Sequence, residues 1–305
     1  MPSAILPVNK PAGKTSFDLV RYVRRATGER RVGHAGTLDP AATGVLLILL
    51  GQATRITEYL MDLPKVYRAT VRLGVETSTY DAEGEVVTTA PVEVSEERMR
   101  EALASFVGRI IQVPPAHSAV KVDGERAYER ARRGESLTMK ARPTRIDRIE
   151  LLRFAPPDAE IDVECGRGTY IRSLAHDLGE QLVCGAHLAS LERTRVGPFT
   201  ADGCADEETL ASALEAGTWP DLVQPIDCGL LALPAITLDI EDEKDLRHGQ
   251  AVDPGESDHA SDGVEARAYA EDGSLIGIIR FDAARNAWRP RKIFASGGAM
   301  TVRHK

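Results

Sequence analysis

Apolar and polar positions change period several times along this chain, and each change predicts an element. In "TSFDLVRYVRRATG", Leu19, Val20 and Val23 form one stripe of a 3.6-residue period, which predicts an amphipathic helix. Ser16 is read as its N-cap and Gly28 as its stop. "VLLILL", Val45 to Leu50, is an unbroken apolar run of strand length, expected of a strand buried on both faces. In "VYRATVRLG" the period is two. Tyr67, Ala69, Val71 and Leu73 share one face, and Arg68, Thr70 and Arg72 share the other. "SEERMREALASFVG" predicts a helix capped by Ser95. "SAVKVDGERAYERARRG" reads as a strand, a turn at Asp123-Gly124 and a basic helix. "RIDRIELLRF" and "AEIDVEC" read as strands joined by a Pro-rich turn, and "TYIRSLAHDLGEQL" as a helix entered directly from the second of them.

Near "DCGLLALP" the pattern shifts to short strands, "AITLDI", "VEARAYA", "SLIGIIRF" and "RKIFA", with turns at "EDG" and "DPGESDHASDG". Two domains are expected. Residues 1–230 form an α+β domain with a mixed, largely antiparallel central sheet flanked by helices, and residues 231–305 a small all-β module.

Composition narrows the class. The chain has 305 residues, 43% hydrophobic and 28% charged, as expected of a folded globular protein with a large core. Its longest apolar run is too short to span a bilayer, and "MPSAILPVNKPAGK" lacks a secretory pattern, so a cytoplasmic protein is expected. Cys165, Cys184, Cys204 and Cys228 are spread without a C-x-x-C pair, and the histidines form no zinc-hydrolase pattern. Metal-free chemistry is expected. The net charge is −8, but it is unevenly spread. The first sixty residues are rich in Lys and Arg. So are residues 121–153, with Arg130, Arg132, Arg133, Arg142, Arg145 and Arg148, whereas "TLDIEDEKD" and the tail are acidic. On charge alone, solvated helix faces and a local nucleic-acid surface both stay open.

The stretch "RRVGHAGTLDPAATGVLLILLG" sets one acidic residue, Asp39, between a Gly/His/Thr loop and the buried apolar run. Asp-Pro is a common turn dipeptide, and a turn role is the plain reading. Against it stand the small residues around Asp39, including Gly33, Gly36, Ala41, Ala42 and Gly44, which let a bulky ligand or another backbone come close. "GRGTYIRS" puts Arg172 in the first turns of a helix, where a guanidinium can keep a carboxylate ionised without a metal. "AGKTS" is not a phosphate-binding loop, because Val8 stands where that motif needs Gly. The chain has no G-x-S-x-G elbow and no dinucleotide fingerprint after a strand.

"GHAGTLDPAATGVL" resembles the catalytic motif of the TruB family of tRNA pseudouridine-55 synthases. "VNKPAGKTSFDLV", "KVYRATVRLGVETSTYDAEGEV", "QVPPAHSAVKVDGERAYERARRG" and "GTYIRSLAHDLGEQLVCGAHLASLERTRVGPF" resemble further blocks of that family, in family order over most of the chain. "LRHGQAV…ARAYAEDGSLIGI" is similar to a PUA RNA-binding module. The resemblance implies isomerisation of one T-loop uridine of tRNA to pseudouridine with no cofactor. The base must be flipped out of its stack before any group reaches its sugar. By resemblance Asp39 is the catalytic carboxylate, Tyr67 stacks on the flipped uracil, and Arg172 pairs with Asp39. His34 contacts the RNA where the base leaves, and Tyr170 and Leu191 line the pocket. Lys10 and Lys65 are assigned to support or phosphate contact, and His176 and His187 to structure. The expected partner is the tRNA T-arm, bound by a monomer away from any membrane.

Two other readings stay open at this point. The chain could be a tRNA-folding chaperone in which catalysis is secondary, or could run the same chemistry on another RNA, recognised by shape. For the C-terminal module to touch RNA its contact face must be basic, and Arg247, Arg267, Arg289, Arg291 and Lys292 are the candidates.

Overall fold

Thr15 starts the first helix with a capping box. Its hydroxyl accepts from the backbone N–H of Asp18, and the Asp18 carboxylate accepts from the N–H of Thr15. Gly28, in the left-handed conformation at φ 71°, ends that helix by donating to the Arg24 carbonyl. The expected cap, Ser16, is thus displaced by its neighbour. Adjacent hydroxyls both suit a helix start, and Ser16 is drawn to a partner elsewhere.

The computed structural model describes residues 3–295, apart from 119, 123, 124, 128, 129, 131, 132, 134, 136, 137 and 254–260. Along the chain run β1 (Ala4–Lys10), α1 (Ser16–Thr27), β2 (Val32–His34), β3 (Thr43–Leu50), α2 (Thr57–Asp62), β4 (Lys65–Leu73), β5 (Val75–Thr77), β6 (Val86–Thr89), α3 (Glu96–Ser105) and β7 (Gly108–Gln112). There follow β8 (Lys121–Val122), β9 (Glu125–Arg126), β10 (Arg142–Ala155), β11 (Asp158–Cys165), α4 (Ile171–Gln181), β12 (Ala186–Val196), β13 (Phe199–Thr200) and α5 (Glu207–Ala216). The last elements are β14 (Ala235–Thr237), α6 (Ile240–Arg247), β15 (Glu265–Tyr269), β16 (Leu275–Asp282) and β17 (Ala287–Ile293). Most of the basic helix expected after Asp123-Gly124, and that turn itself, lie outside the described residues.

The chain divides into two compact units: Met1–Pro40 with Val45–Met61 and Gly197–Lys305, and Ala41–Gly44 with Asp62–Val196. In the first, β1 neighbours β3, and β2 pairs with β3 antiparallel, Val32 opposite Leu50 and His34 opposite Ile48. Val45 to Leu50 are fully buried, as their unbroken apolar run predicts. Leu46, Ile48 and Leu50 share a core with Leu6 and Val8 of β1, Leu19, Val20 and Val23 of α1, and Leu210 and Leu214 of α5. Each such side chain contributes about 2 kcal/mol by leaving water.

The same unit holds a four-stranded sheet in the order β14-β15-β16-β17, with its own core around Leu246, Ile276, Ile279 and Trp288. The expected strands are present, and a helix the periodicity does not announce, α6, joins β14 to the rest. Asp239 caps it by accepting from the Asp242 N–H, and Leu246 is its buried residue. The sheet is tied to the segment after β3. Lys292 donates to the Arg55 carbonyl at 2.6 Å, Tyr59 to Glu265 at 2.6 Å, and the Ala295 N–H to the Gln52 side chain at 2.8 Å. Burial and the Glu265 carboxylate beside it push the Tyr59 hydroxyl well above the usual phenol range.

In the second unit the strands run β12-β4-β11-β10-β7, antiparallel throughout. Thr43 and Gly44, which open β3, pair parallel with Glu192 and Arg193 of β12. The sheet is therefore mixed and largely antiparallel, as expected. Along β4 the period of two holds: Tyr67, Ala69, Val71 and Leu73 are buried and Arg68 and Arg72 exposed. Gly44 is required where it stands. Its φ is +101°, and a Cβ there would lie 2.2 Å from the Arg193 carbonyl oxygen.

Candidate active site

Asp39 is held from both sides by the end of β1, the start of α1 and the loop between them. The Ser16 hydroxyl accepts from the Leu38 N–H at 2.9 Å and donates to the Leu38 carbonyl at 3.2 Å. The Pro40 carbonyl accepts from the Gly13 N–H at 2.8 Å and from the Lys10 ammonium at 3.0 Å. Lys10 is completely buried and also donates to the carbonyls of Pro11 and Lys14. It therefore supports the loop, the first of the two roles expected of it. Asp39 itself is half-buried, and the chain enters the second unit two residues later, at Ala41. His34, also half-buried, ends β2 opposite Ile48, and the next residue, Ala35, donates to the Leu47 carbonyl.

The second unit brings Tyr67, Leu191, Tyr170 and Arg172 onto neighbouring elements. Tyr67 stands on the buried face of β4 opposite Arg193 of β12, and Leu191 stands opposite Ala69. Residues directly opposite in antiparallel strands share a face, so Tyr67, Ala69, Leu191 and Arg193 point the same way. The partner of Arg193 on its other side is Gly44, five residues after Asp39. Tyr170 precedes α4, which packs against β12. The Gln112 side chain fixes its backbone, accepting from the Tyr170 N–H at 2.8 Å and donating to its carbonyl at 3.0 Å.

Arg172, in the first turn of α4, is buried with 6% exposure. Its guanidinium meets the Asp81 carboxylate at 3.2 Å and donates to the His117 carbonyl at 2.9 Å. Asp81 is a residue the sequence reading missed. Its carboxylate is fixed by the Thr79 hydroxyl and the Glu83 N–H. The residue before it, Tyr80, takes a left-handed backbone at φ 63°, donates its N–H to the Thr77 carbonyl, accepts from the Leu188 N–H, and stacks on His176 with ring centroids 3.9 Å apart. A strained loop position held by a ring stack delivers Asp81 to Arg172. The signal available in the sequence was the motif block "ETSTYDAEGEV" itself, which contains Asp81.

The remaining residues separate into support and surface. Lys65 is buried at the start of β4 and donates to the Leu63 carbonyl at 2.6 Å. Burial and the nearby Arg193 guanidinium push its ammonium down to about 8. His187 is buried with Nδ1 2.8 Å from the Val75 carbonyl. His176, Asp177 and Glu180 offer ligand atoms within 4.8 Å of one another. Their spacing along one helix accounts for this, and the His176 ring is engaged by Tyr80 and by Glu76 at 3.4 Å. Of the five basic residues proposed for the C-terminal module, three serve the fold. Arg247 donates to the Phe294 carbonyl, buried Arg267 to the Leu233 carbonyl, and Lys292 to Arg55. Arg289 and Arg291 are exposed.

A mixed, largely antiparallel sheet flanked by helices, with a small all-β sheet after it, is the fold of a pseudouridine synthase. It is similar at a TM-score of 0.74 to a solved Cbf5–Nop10–Gar1 complex, 25% identical, with 96% of this chain and 85% of that chain covered. Two family models match: TruB family pseudouridylate synthase (N terminal domain) over residues 24–171, and tRNA pseudouridylate synthase B C-terminal domain over residues 172–230. The tRNA pseudouridine synthase B of Arthrobacter sp. (strain FB24) is 42% identical, with 97% of each chain covered. That of Roseobacter denitrificans is 44% identical, with 88% of this chain and 90% of its own covered. The chain belongs to the TruB family of pseudouridylate synthases.

Proposed function

We propose that this chain isomerises the T-loop uridine at position 55 of tRNA to pseudouridine, without a cofactor. The observation that carries this reading is the clamped Asp39, set in a chain of a family whose relatives bear the name tRNA pseudouridine synthase B. In the reaction the N1–C1′ bond breaks, the uracil turns, and C5 bonds to C1′. C5 loses its proton and N1 gains one, so the product is an isomer of the substrate. A base inside the loop is out of reach of any side chain, so it must first be flipped out.

Each residue then has a task. The Asp39 carboxylate, with which Arg172 is proposed to pair, works at the junction of sugar and base. Arg172 is held for this by Asp81 and by the His117 carbonyl. The Tyr67 ring lies against the flipped uracil, with Leu191 on the same face of the sheet and Tyr170 completing the wall. His34 meets the RNA where the base has left. Residues 1–230 act as the catalytic domain and 231–305 as a PUA-like module that adds contacts to the tRNA T-arm, with Arg289 and Arg291 as its exposed cations. The enzyme works as a cytoplasmic monomer, and four cysteines outside any disulfide suit a reducing compartment.

The test is release of tritium from C5 of uridine in an unmodified tRNA transcript. The expected result is about one equivalent released per tRNA, lost when the T-loop uridine is replaced by cytidine. No release from the uridine transcript would overturn the activity, and undiminished release from the cytidine transcript would overturn the position.

A further inference from the structure

Two adjacent hydroxyls open α1, and they do different work. Thr15 caps the helix with its full capping box, so the helix start does not need Ser16. The Ser16 hydroxyl is instead spent 22 residues away, on Leu38. We propose that Ser16 is a positioning residue for the Asp39 carboxylate, holding the backbone that carries it. This inference rests on the role given to Asp39 above.

A hydroxyl donates once and accepts twice, so one serine can satisfy the N–H and the carbonyl of the same residue. The Leu38 N–H belongs to the peptide before Leu38, and its carbonyl belongs to the peptide that leads into Asp39. Tying both to one oxygen fixes the two dihedrals of Leu38, and with them the plane from which Asp39 projects. Ser16 is 2% exposed and Leu38 3%, so water does not compete for either bond. On the far side of Asp39 the Pro40 ring fixes φ, and the Pro40 carbonyl is held by Gly13 and Lys10. Asp39 is therefore suspended between two pinned peptides, and Ser16 is the pin on the N-terminal side. Without it, two buried polar groups lose their partner and the carboxylate gains freedom at the point where reaction geometry is set. A misplacement of about 1 Å costs rate on the order of 100-fold in such sites.

The experiment compares full-length Ser16→Ala, Ser16→Cys, Ser16→Thr and Thr15→Ala with wild type on unmodified tRNA, measuring single-turnover rate and tRNA Kd separately. Ser16→Ala is expected to lose about tenfold or more in rate with Kd within about twofold of wild type. Ser16→Cys keeps the size but hydrogen-bonds weakly, and is expected to be slowed likewise. It carries the comparison where Ser16→Ala fails to fold. Ser16→Thr, which keeps the hydroxyl, is expected to recover most of the rate. Thr15→Ala removes the cap, so it lowers the unfolding midpoint while the rate stays at the wild-type value. Wild-type rates in Ser16→Ala or Ser16→Cys would overturn the proposal, as would an equal slowing in Thr15→Ala. Asp39→Asn is run alongside. If it turns over normally, the role of Asp39 fails and this inference goes with it. If it is inactive while Ser16→Ala is fully active, the positioning role fails alone.

Discussion

Replacing Gly44 by alanine asks how tightly the start of β3 is built against β12. Two costs follow from the structure. The first is conformational: at φ +101° an alanine is held outside the regions open to L residues, at about 1–3 kcal/mol. The second is steric. The new Cβ would lie 2.2 Å from the Arg193 carbonyl oxygen and 2.8 Å from the Arg193 carbonyl carbon and nitrogen. These are backbone atoms in a paired strand, so no rotamer change relieves the overlap, and β12 must shift. Forced shifts of that kind cost about 1–3 kcal/mol. Together the two predict a loss of about 4 kcal/mol for Gly44→Ala. The comparison is Gly28→Ala, at the end of α1. Its φ is +71° and a Cβ there meets nothing within 4 Å, so only a backbone cost of about 1 kcal/mol applies. Urea unfolding of both variants and wild type, followed by circular dichroism, reads the two losses directly. A Gly44→Ala loss no larger than that of Gly28→Ala would refute the close approach of β3 and β12.

Val183→Gly is expected to stabilise the chain by about 1 kcal/mol, read as a raised urea midpoint. Val183 is 88% exposed beyond the end of α4 and sits at φ 59°, where a β-branched side chain is strained and glycine is not. Lys65 gives a pH signature. Its folded pKa of about 8 lies below the ordinary 10.5, so between those values the unfolded chain binds the extra proton. The cost of burying the ammonium is complete below pH 8 and disappears as pH rises through 10.5. Unfolding free energies of wild type and Lys65→Met, measured at pH 7 and pH 10, should therefore converge or cross by about 2 kcal/mol in favour of wild type. A difference that does not move with pH would contradict the buried, depressed ammonium.

Where neighbouring residues decide structure, the chain could be read directly. The period of two along Tyr67 to Leu73, the apolar run Val45 to Leu50 and the Ser95 cap appear as expected. Asp39, Tyr67, Arg172, His34, Tyr170 and Leu191 were named through motif blocks; the strand of Tyr67 and the helix of Arg172 are those the pattern predicts, whereas β2, which ends at His34, and β12, which carries Leu191, were not predicted. Three of the misses share one cause, a partner far away in sequence. Ser16 suits an N-cap as well as Thr15 does, and only Leu38, 22 residues on, separates them. Asp81 sits in a loop without periodicity, and its meaning comes from Arg172, 91 residues later. Arg247, Arg267 and Lys292 count as surface charge until the carbonyls that accept from them are seen. Helix α6 hides for a different reason. Its residues are almost all charged, and with Leu246 as its buried residue it carries no apolar stripe to detect.

The proposed role of Asp39 is that its carboxylate performs the chemistry, in a loop whose backbone is held on both sides. Asp39→Asn keeps the size of the side chain and leaves the Ser16, Gly13 and Lys10 contacts in place. The decisive measurement is tritium release from C5 of the T-loop uridine by wild type and Asp39→Asn, with tRNA affinity measured on the same preparations. Release is expected from wild type and none from Asp39→Asn, with Kd values within a few-fold of each other. Release by Asp39→Asn at the wild-type rate would contradict it. So would tight tRNA binding with no release from either protein, which would make the chain a tRNA chaperone.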